Sequence, residues 1–347
     1  MEITIKDVAK ICGVGVSTVS RAINNHPDIN QETKDRIMQV IKENNYIPNN
    51  SARNLKRSEA NTIAVLIKGI TNPFFAKMTQ ILEEEIQKKR YSFVLHRVED
   101  KEDEVDVAVE LIKEKRLKGI IFLGGFFSHS HEKLKELTVP FVLSTVGILD
   151  AGGKPEGKTE AEFSSVSVDD FEESYKMVDY LCRLGHKDIL ILASCEDDES
   201  IGALRLEGYK RALQDHGLPF KKENCIYMDE KIETYSMENG YVCMKKALEK
   251  KLPVTAVYAV SDSTAIGACR ALAEAGMRIP EDVSVAGFDG LDIGQYYMPS
   301  LTTIRQPVEE MAYATSRLLF DLIKKKSCHQ QLIFPAELIA RESTREV

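Results

Sequence analysis

Apolar positions repeat along the chain with two different periods, and the change falls near residue 60. Before it the spacing is helical. Ile5, Val8 and Ala9 share one face of a short helix that Thr4 can cap, with Asp7 in the place of the capping-box acid. Cys12-Gly13-Val14-Gly15 then breaks the run, because glycine takes turn conformations that other residues resist. A second helix is predicted over 16–24, with Val19 and Ile23 on the stripe facing the first and Val16, Ser17, Ser20 and Arg21 facing outward. A third opens at Asn30 as N-cap, with Gln31 and Glu32 in its first turn and Ile37, Val40 and Ile41 buried. So small a helical unit can do little except present one of its helices.

From Thr62 the pattern becomes near-continuous apolar runs separated by amphipathic stretches. Strands are predicted at 62–67, 92–96, 119–123, 141–144, 165–168, 188–193, 224–228, 256–260, 283–287, 302–304 and 332–334. Helices are predicted at 74–89, 102–115, 171–184, 202–216, 237–250, 263–275 and 308–323. Apolar strands alternating with helices imply buried, doubly wound parallel sheets covered on both faces. The segments opening at Thr62 and Asp188 each run strand, polar loop, long helix, strand, a weak internal repeat that implies two lobes. Between the helical unit and the first strand, residues 48–60 (PNNSARNLKRSEA) are too polar to own a core. Asn50 to Lys56 could form two helical turns, but an isolated helix that short is marginal in water, so it is expected to order only against a partner.

Charge sharpens the division. Residues 1–58 carry nine Lys and Arg against six Asp and Glu, a net of +3, which leaves −11 of the total −8 for the remainder. A basic end on an acidic chain points to a polyanionic partner for that end only. Short amphipathic hairpins also serve merely to pack, so periodicity alone leaves both readings open. At 347 residues, 43% of them hydrophobic, the chain suits two or three domains. No apolar run is long enough to span a membrane, and no apolar segment suited to secretion follows Met1, so a cytoplasmic location is expected. Seven scattered cysteines without a CxxC pair imply reduced thiols, with no zinc site and no disulfide framework.

TIKDVAKICGVGVSTVSRAIN at 4–24 and NYIPNNSARNLK at 45–56 resemble the LacI/GalR family of bacterial transcription regulators. The resemblance continues through NPFF at 72–75, LGH at 184–186, SDSTAIGACRAL at 261–272, VSVAGFDG at 283–290, LTTIRQP at 301–307 and ARES at 340–343. It implies an N-terminal all-α helix-turn-helix domain at 1–47, a hinge helix and linker at 48–60, and an α/β two-lobed, periplasmic-binding-protein-like core at 61–347. The first lobe is placed at about 61–163 plus 291–321, and the second at about 164–290 plus 322–347, with a surface loop at 148–164 between them. The implied function is a homodimeric, ligand-responsive repressor of carbohydrate-use genes, released from a palindromic operator by a small sugar-like effector. Alternatives are a co-repressor mode, with a purine-like or phosphorylated ligand, and the solute-binding receptor of a transporter.

On operator DNA, Ser17 and Arg21 are expected to read bases, Arg21 as a bidentate partner for guanine, with Val16 on a thymine methyl and Ser20 on the same outward face. Asn24, Tyr46 and Asn49 would hold phosphates. The resemblance puts Ala52 at the minor groove and makes Leu55 a wedge that opens a central base step. Gly15 stands where the family usually has a serine that caps the recognition helix.

In open α/β sheets ligands bind beyond the carboxyl ends of strands, and two facing lobes make a cleft there. Residues after strands supply the effector candidates Asn72, Phe74, Thr145, Glu199, Arg205, Ser261 and Asp289. The resemblance adds Tyr235 and matches Arg205 and Asp289 to a donor fork and an acceptor for ligand hydroxyls. Asp262 is expected to cap the following helix. Thr145 replaces an acid, and Ser261 an asparagine, that sugar-responsive members usually carry. No Gly-rich phosphate loop, HExxH or GxSxG occurs, so no enzyme and no cofactor are expected. His129 and His131, and the acidic run 196–199, read as solvated loops rather than metal sites.

Overall fold

The computed structural model describes residues 3–23, 26–44, 46, 61–99, 102–125, 131–146, 163–196 and 200–347. The chain divides into two compact units, Met1–Glu59 and Ala60–Val347.

The first unit contains α1 (Ile5–Ile11), α2 (Val16–Ile23) and α3 (Gln31–Glu43). Thr4 and Asp7 form a reciprocal capping box: the Asp7 amide donates to Thr4 Oγ1, and the Thr4 amide donates to the Asp7 carboxylate at 2.9 Å. Asn30 caps α3 by accepting from the Glu32 amide at 2.9 Å and the Thr33 amide at 3.3 Å. Val8, Ala9, Cys12, Val19, Ala22, Ile37 and Tyr46 make the core. The small Ala22, and not Ile23, is fully buried beside Val19, while Ile23, Val40 and Ile41 lie half-buried at its edge.

The second unit runs β1 (Thr62–Lys68), α4 (Phe74–Lys88), β2 (Ser92–Val98), α5 (Glu104–Lys115), β3 (Leu117–Leu123), α6 (His131–Leu134), β4 (Phe141–Ser144) and β5 (Ser164–Val168). It continues with α7 (Asp170–Arg183), β6 (Ile189–Ala193), α8 (Ile201–Asp215), β7 (Cys225–Tyr227), α9 (Met237–Glu249), β8 (Ala256–Ala259), α10 (Asp262–Glu274) and β9 (Ser284–Asp289). The last elements are α11 (Asp292–Tyr296), β10 (Thr302–Arg305), α12 (Val308–Ile323), β11 (Gln331–Phe334) and β12 (Glu337–Ile339).

Two six-stranded sheets result, ordered β11-β5-β4-β3-β1-β2 and β12-β10-β9-β8-β6-β7. Their pairings are parallel except β10 with β12. β1, β4, β5, β6, β8 and β9 are buried at every position, as strands covered on both faces must be. Where α9 crosses α10 the helices touch backbone to backbone. A Cβ on Gly240 would lie 2.1 Å from the Thr264 carbonyl oxygen, so a side chain there would force the helices apart.

The sheets correct the expected lobe boundaries. Ser164–Val168 and Gln331–Phe334 pair in the first sheet, and Thr302–Arg305 pairs in the second. The chain therefore crosses between lobes near 169, at 306–307 and at 335–336. The reason is that a strand's own sequence reports burial, while its sheet is set by partners distant in the chain. The short elements α6, α11 and β12 were not expected, since three to five residues are too few to show a period. Among the described residues no helix is long and apolar enough to cross a membrane.

Candidate functional site

On α2 the outward residues Val16, Ser17 and Arg21 are exposed and Ser20 is half-buried. Val16 stands 42% exposed, so its methyl groups are accessible to a partner. Arg21 Nη1 lies 3.3 Å from Asp28 Oδ2, both side chains more than half exposed. His26 Nδ1 meets the other oxygen of Asp28. The His26 hydrogen bond, with the Arg21 charge behind it, holds the Asp28 carboxyl below its usual range. Water screens such a pair, so Arg21 can exchange Asp28 for another acceptor at little cost. Tyr46, expected to hold a phosphate, is 9% exposed and packs in the three-helix core. Asn24, Asn49, Ala52 and Leu55 lie outside the described residues.

In the second unit a cavity, partly open to solvent, lies between the lobes at the carboxyl ends of β1, β3, β4 and β9. Six of the expected effector residues line it: Asn72, Phe74, Thr145, Arg205, Tyr235 and Asp289. Glu199 lies outside the described residues. Ser261 does not line the cavity; it is fully buried and caps α10 by accepting from the Thr264 amide at 3.2 Å. Asp262, expected as the cap, instead accepts from the Thr303 hydroxyl and the Leu291 amide, each at 2.6 Å. Burial, with Asp289 adding to it, pushes the Asp262 carboxyl up to about 8 against the pull of Thr303 and Leu291.

Arg205 lines the cavity and is only 2% exposed. Its Nε donates to Asp170 Oδ1 at 2.8 Å, its Nη1 donates to the Val260 carbonyl and lies 3.7 Å from Asp289 Oδ1, and its guanidinium sits 3.6 Å above the Phe288 ring. Burial works to neutralise this arginine and the two aspartates outweigh it, so its charge is secure. Burial pushes Asp170 up to about 6 although Arg205 opposes it, and burial also raises Asp289.

Backbone strain marks the same wall. Thr145, Tyr235 and Asp289 have φ of +69°, +56° and +113°, a region that non-glycine residues rarely occupy and that clusters at ligand sites. Gly124 is held at φ +71°, where a Cβ would come 2.8 Å from the Lys68 carbonyl oxygen and 2.9 Å from the Phe75 ring, closing this end.

Sequence reasoning missed Lys68, Phe75 and Gln306, which also line the cavity. Lys68 is 8% exposed, with Nζ donating to the Glu102 carbonyl at 2.9 Å and lying 3.5 Å from Glu104 Oε2. A lysine closing the apolar run of β1 was the available signal. Gln306 donates from Nε2 to Asp289 Oδ1 at 3.0 Å. Among the described residues no cluster of His, Cys, Asp and Glu could hold a metal ion.

Residues 4–49 match the family described as bacterial regulatory proteins, lacI family, and residues 178–344 match the periplasmic binding protein-like domain. The HTH-type transcriptional regulator MalR of Clostridium butyricum is 40% identical over 341 residues, 98% of each chain. Among solved structures, the transcriptional regulator CelR in complex with cellobiose is 27% identical, with a TM-score of 0.70 over 99% of this chain and 100% of that one. A LacI family regulator from Enterococcus faecium with bound ribose is 30% identical, with a TM-score of 0.68 over 82% and 99%. The chain therefore belongs to the LacI family and is a DNA-binding transcriptional regulator, not an enzyme, with a helix-turn-helix joined to an effector-binding core.

Proposed function

We propose that this regulator is a cytoplasmic homodimer that represses carbohydrate-use genes and leaves a palindromic operator when a small, uncharged sugar-like effector fills the interlobe cavity. The balance of charge around that cavity carries the effector assignment. Arg205 and Lys68 face three carboxylates, those of Asp170, Asp289 and Glu104, at 2.8, 3.7 and 3.5 Å from a counter-charge and all nine-tenths or more buried. Among the described residues the two cations are already matched and one carboxylate is left over, so a phosphorylated ligand would enter against an unfavourable field. A polyhydroxylated ligand meets what it needs: acceptors on Asp289, donors on Asn72 and Gln306, and the ring faces of Phe74 and Phe75, which stand 5.3 Å apart edge to face. The bound cellobiose and ribose of the two similar structures support the same class.

Arg21 and Ser17 would read each half-site, with Val16 against a thymine methyl. The hinge segment 48–60, with Ala52 at the minor groove and Leu55 as the wedge, would order in the repressing state. An effector need favour one hinge state over the other by only about 1–3 kcal/mol to switch it.

A thermal-shift screen of neutral mono- and disaccharides beside their phosphate esters tests the effector class, because a bound ligand raises apparent stability by mass action. Stabilisation by a phosphate ester alone would replace this reading with the co-repressor mode, as would a ligand that tightens operator binding. Asp289→Ala should retain operator binding and lose the response; a retained response would put the effector elsewhere.

A further inference from the structure

The three segments that cross between lobes do not relate to the cavity in the same way. The first, near 169, leads into Asp170, whose carboxylate holds Arg205 from behind without lining the cavity. In the third, the Ala336 amide donates to Glu173 Oε1 at 3.3 Å, again outside the cavity. Only the second places a described side chain in the cavity wall. That residue is Gln306, 5% exposed, between β10 of the second lobe and α12, which packs on the first.

We propose that Gln306 is a positioning residue that couples occupancy of the cavity to the interlobe crossing at 306–307, acting through Asp289. The inference rests on the reading of the cavity as the effector site. Gln306 is tied to Asp289 twice: Nε2 donates to Oδ1 at 3.0 Å, and the Gln306 backbone amide donates to the Asp289 carbonyl at 3.2 Å. The other carboxylate oxygen of Asp289 accepts from Asn72 Nδ2, in the first lobe, at 3.3 Å. One buried carboxylate thus joins a strand end of the second lobe, a loop of the first and the crossing itself.

Asp289 holds this place at a backbone φ of +113°, a conformation that persists only while surrounding contacts enforce it. The next residue, Gly290, is pressed against the chain that enters the crossing, since a Cβ there would lie 2.5 Å from the Arg305 Cα. A carboxylate has a limited set of lone pairs, and they are divided here among Gln306, Asn72 and the Arg205 charge. A ligand hydroxyl that donates to Asp289 must share with or displace an amide. The amide it competes with on Oδ1 belongs to the crossing, so the ligand interacts differently with the two lobe arrangements, the requirement for shifting an equilibrium.

The full-length chain tests this without a known effector. Hydrogen exchange is measured at backbone amides 305–311 in Gln306→Met, Asp289→Ala and the double variant; Met keeps the length of the side chain and removes the amide, and Ala removes the carboxylate that accepts from it. Each single variant should lose at least tenfold protection at the crossing with β2 and α9 unchanged, and the double variant should lose no more than the worse single, because both break one link. Multiplicative losses, or none at the crossing, would overturn the coupling. A second arm uses whichever of cellobiose, maltose or ribose stabilises the wild type. With each protein saturated by the sugar, so that any loss of affinity at Gln306 itself is removed from the comparison, the sugar-induced change in operator affinity should fall at least tenfold in Gln306→Met; an unchanged ratio at saturation would overturn the proposal. Binding of none of the three overturns the sugar reading alone and leaves the exchange result to decide the coupling.

Discussion

Two arginines, Arg21 and Arg205, carry the same guanidinium into opposite surroundings. Arg21 stands more than half exposed with a screened partner in Asp28, whereas Arg205 is 2% exposed between Asp170, Asp289 and the Phe288 ring. A group proposed to reach for a base edge is best left with weak, exchangeable partners. A group that shapes a cavity has to be fixed before the ligand arrives, because a side chain still to be ordered would lower affinity. The contrast extends to the cores: among the described residues seven buried side chains hold the helical unit, while the sheets of the second unit bury whole strands.

The largest test of the contrast is to remove each charge in turn. Arg205→Met leaves Asp170 and Asp289 buried without their cation and should destabilise the second unit by about 3–5 kcal/mol, read by chemical denaturation. A loss below about 1 kcal/mol would mean that the cavity relaxes or takes up protons freely. Arg21→Ala should leave the melting temperature unchanged and cost about 1–3 kcal/mol at one base pair of the operator. Equal binding to every operator variant would remove Arg21 from base readout.

Stability against pH separates the regions further. Asp170 and Asp262 are raised to about 6 and about 8 from an ordinary 3.8, so the folded chain keeps protons that the unfolded chain has lost. That contribution is fully present below pH 4 and is lost as pH rises through 6 to 8. The melting temperature of the second unit should fall over this range, and Asp262→Asn should flatten the fall; an unaltered slope in the variant would clear Asp262 of the effect. The smallest expected change is in the helical unit. Gly15 has an ordinary φ, and a Cβ there would meet nothing closer than 3.5 Å, so Gly15→Ser fits and should add a few tenths of a kcal/mol through a cap on α2. A drop in the helical unit's melting temperature would mean that the turn needs glycine.

Legibility in the sequence followed the same division between local and distant causes. Strands and long helices were readable because burial repeats along the chain, and Thr4 and Asn30 because a cap acts within three residues. The sheet to which β5, β10 and β11 belong was not, since it depends on partners far away. Buried polar residues were hardest: Gln306 and Glu104 look like surface residues until the fold brings Asp289 and Lys68 to them. Ser261 shows the converse, a residue at the right strand end whose hydroxyl is taken up by its own helix.

The left-handed backbone at Thr145, Tyr235 and Asp289 also bears on how such a cavity changes during evolution. Asn, Asp and Gly tolerate that conformation, while bulky and branched residues resist it, so substitutions at these three positions are filtered for shape before they are tested for ligand contact. Asn72, Phe74 and Ser200 line the cavity on backbone without that restriction. New ligand preferences are expected to arise first at those positions, and a saturation library scored by reporter output would show the two groups as a narrow and a broad set of tolerated residues.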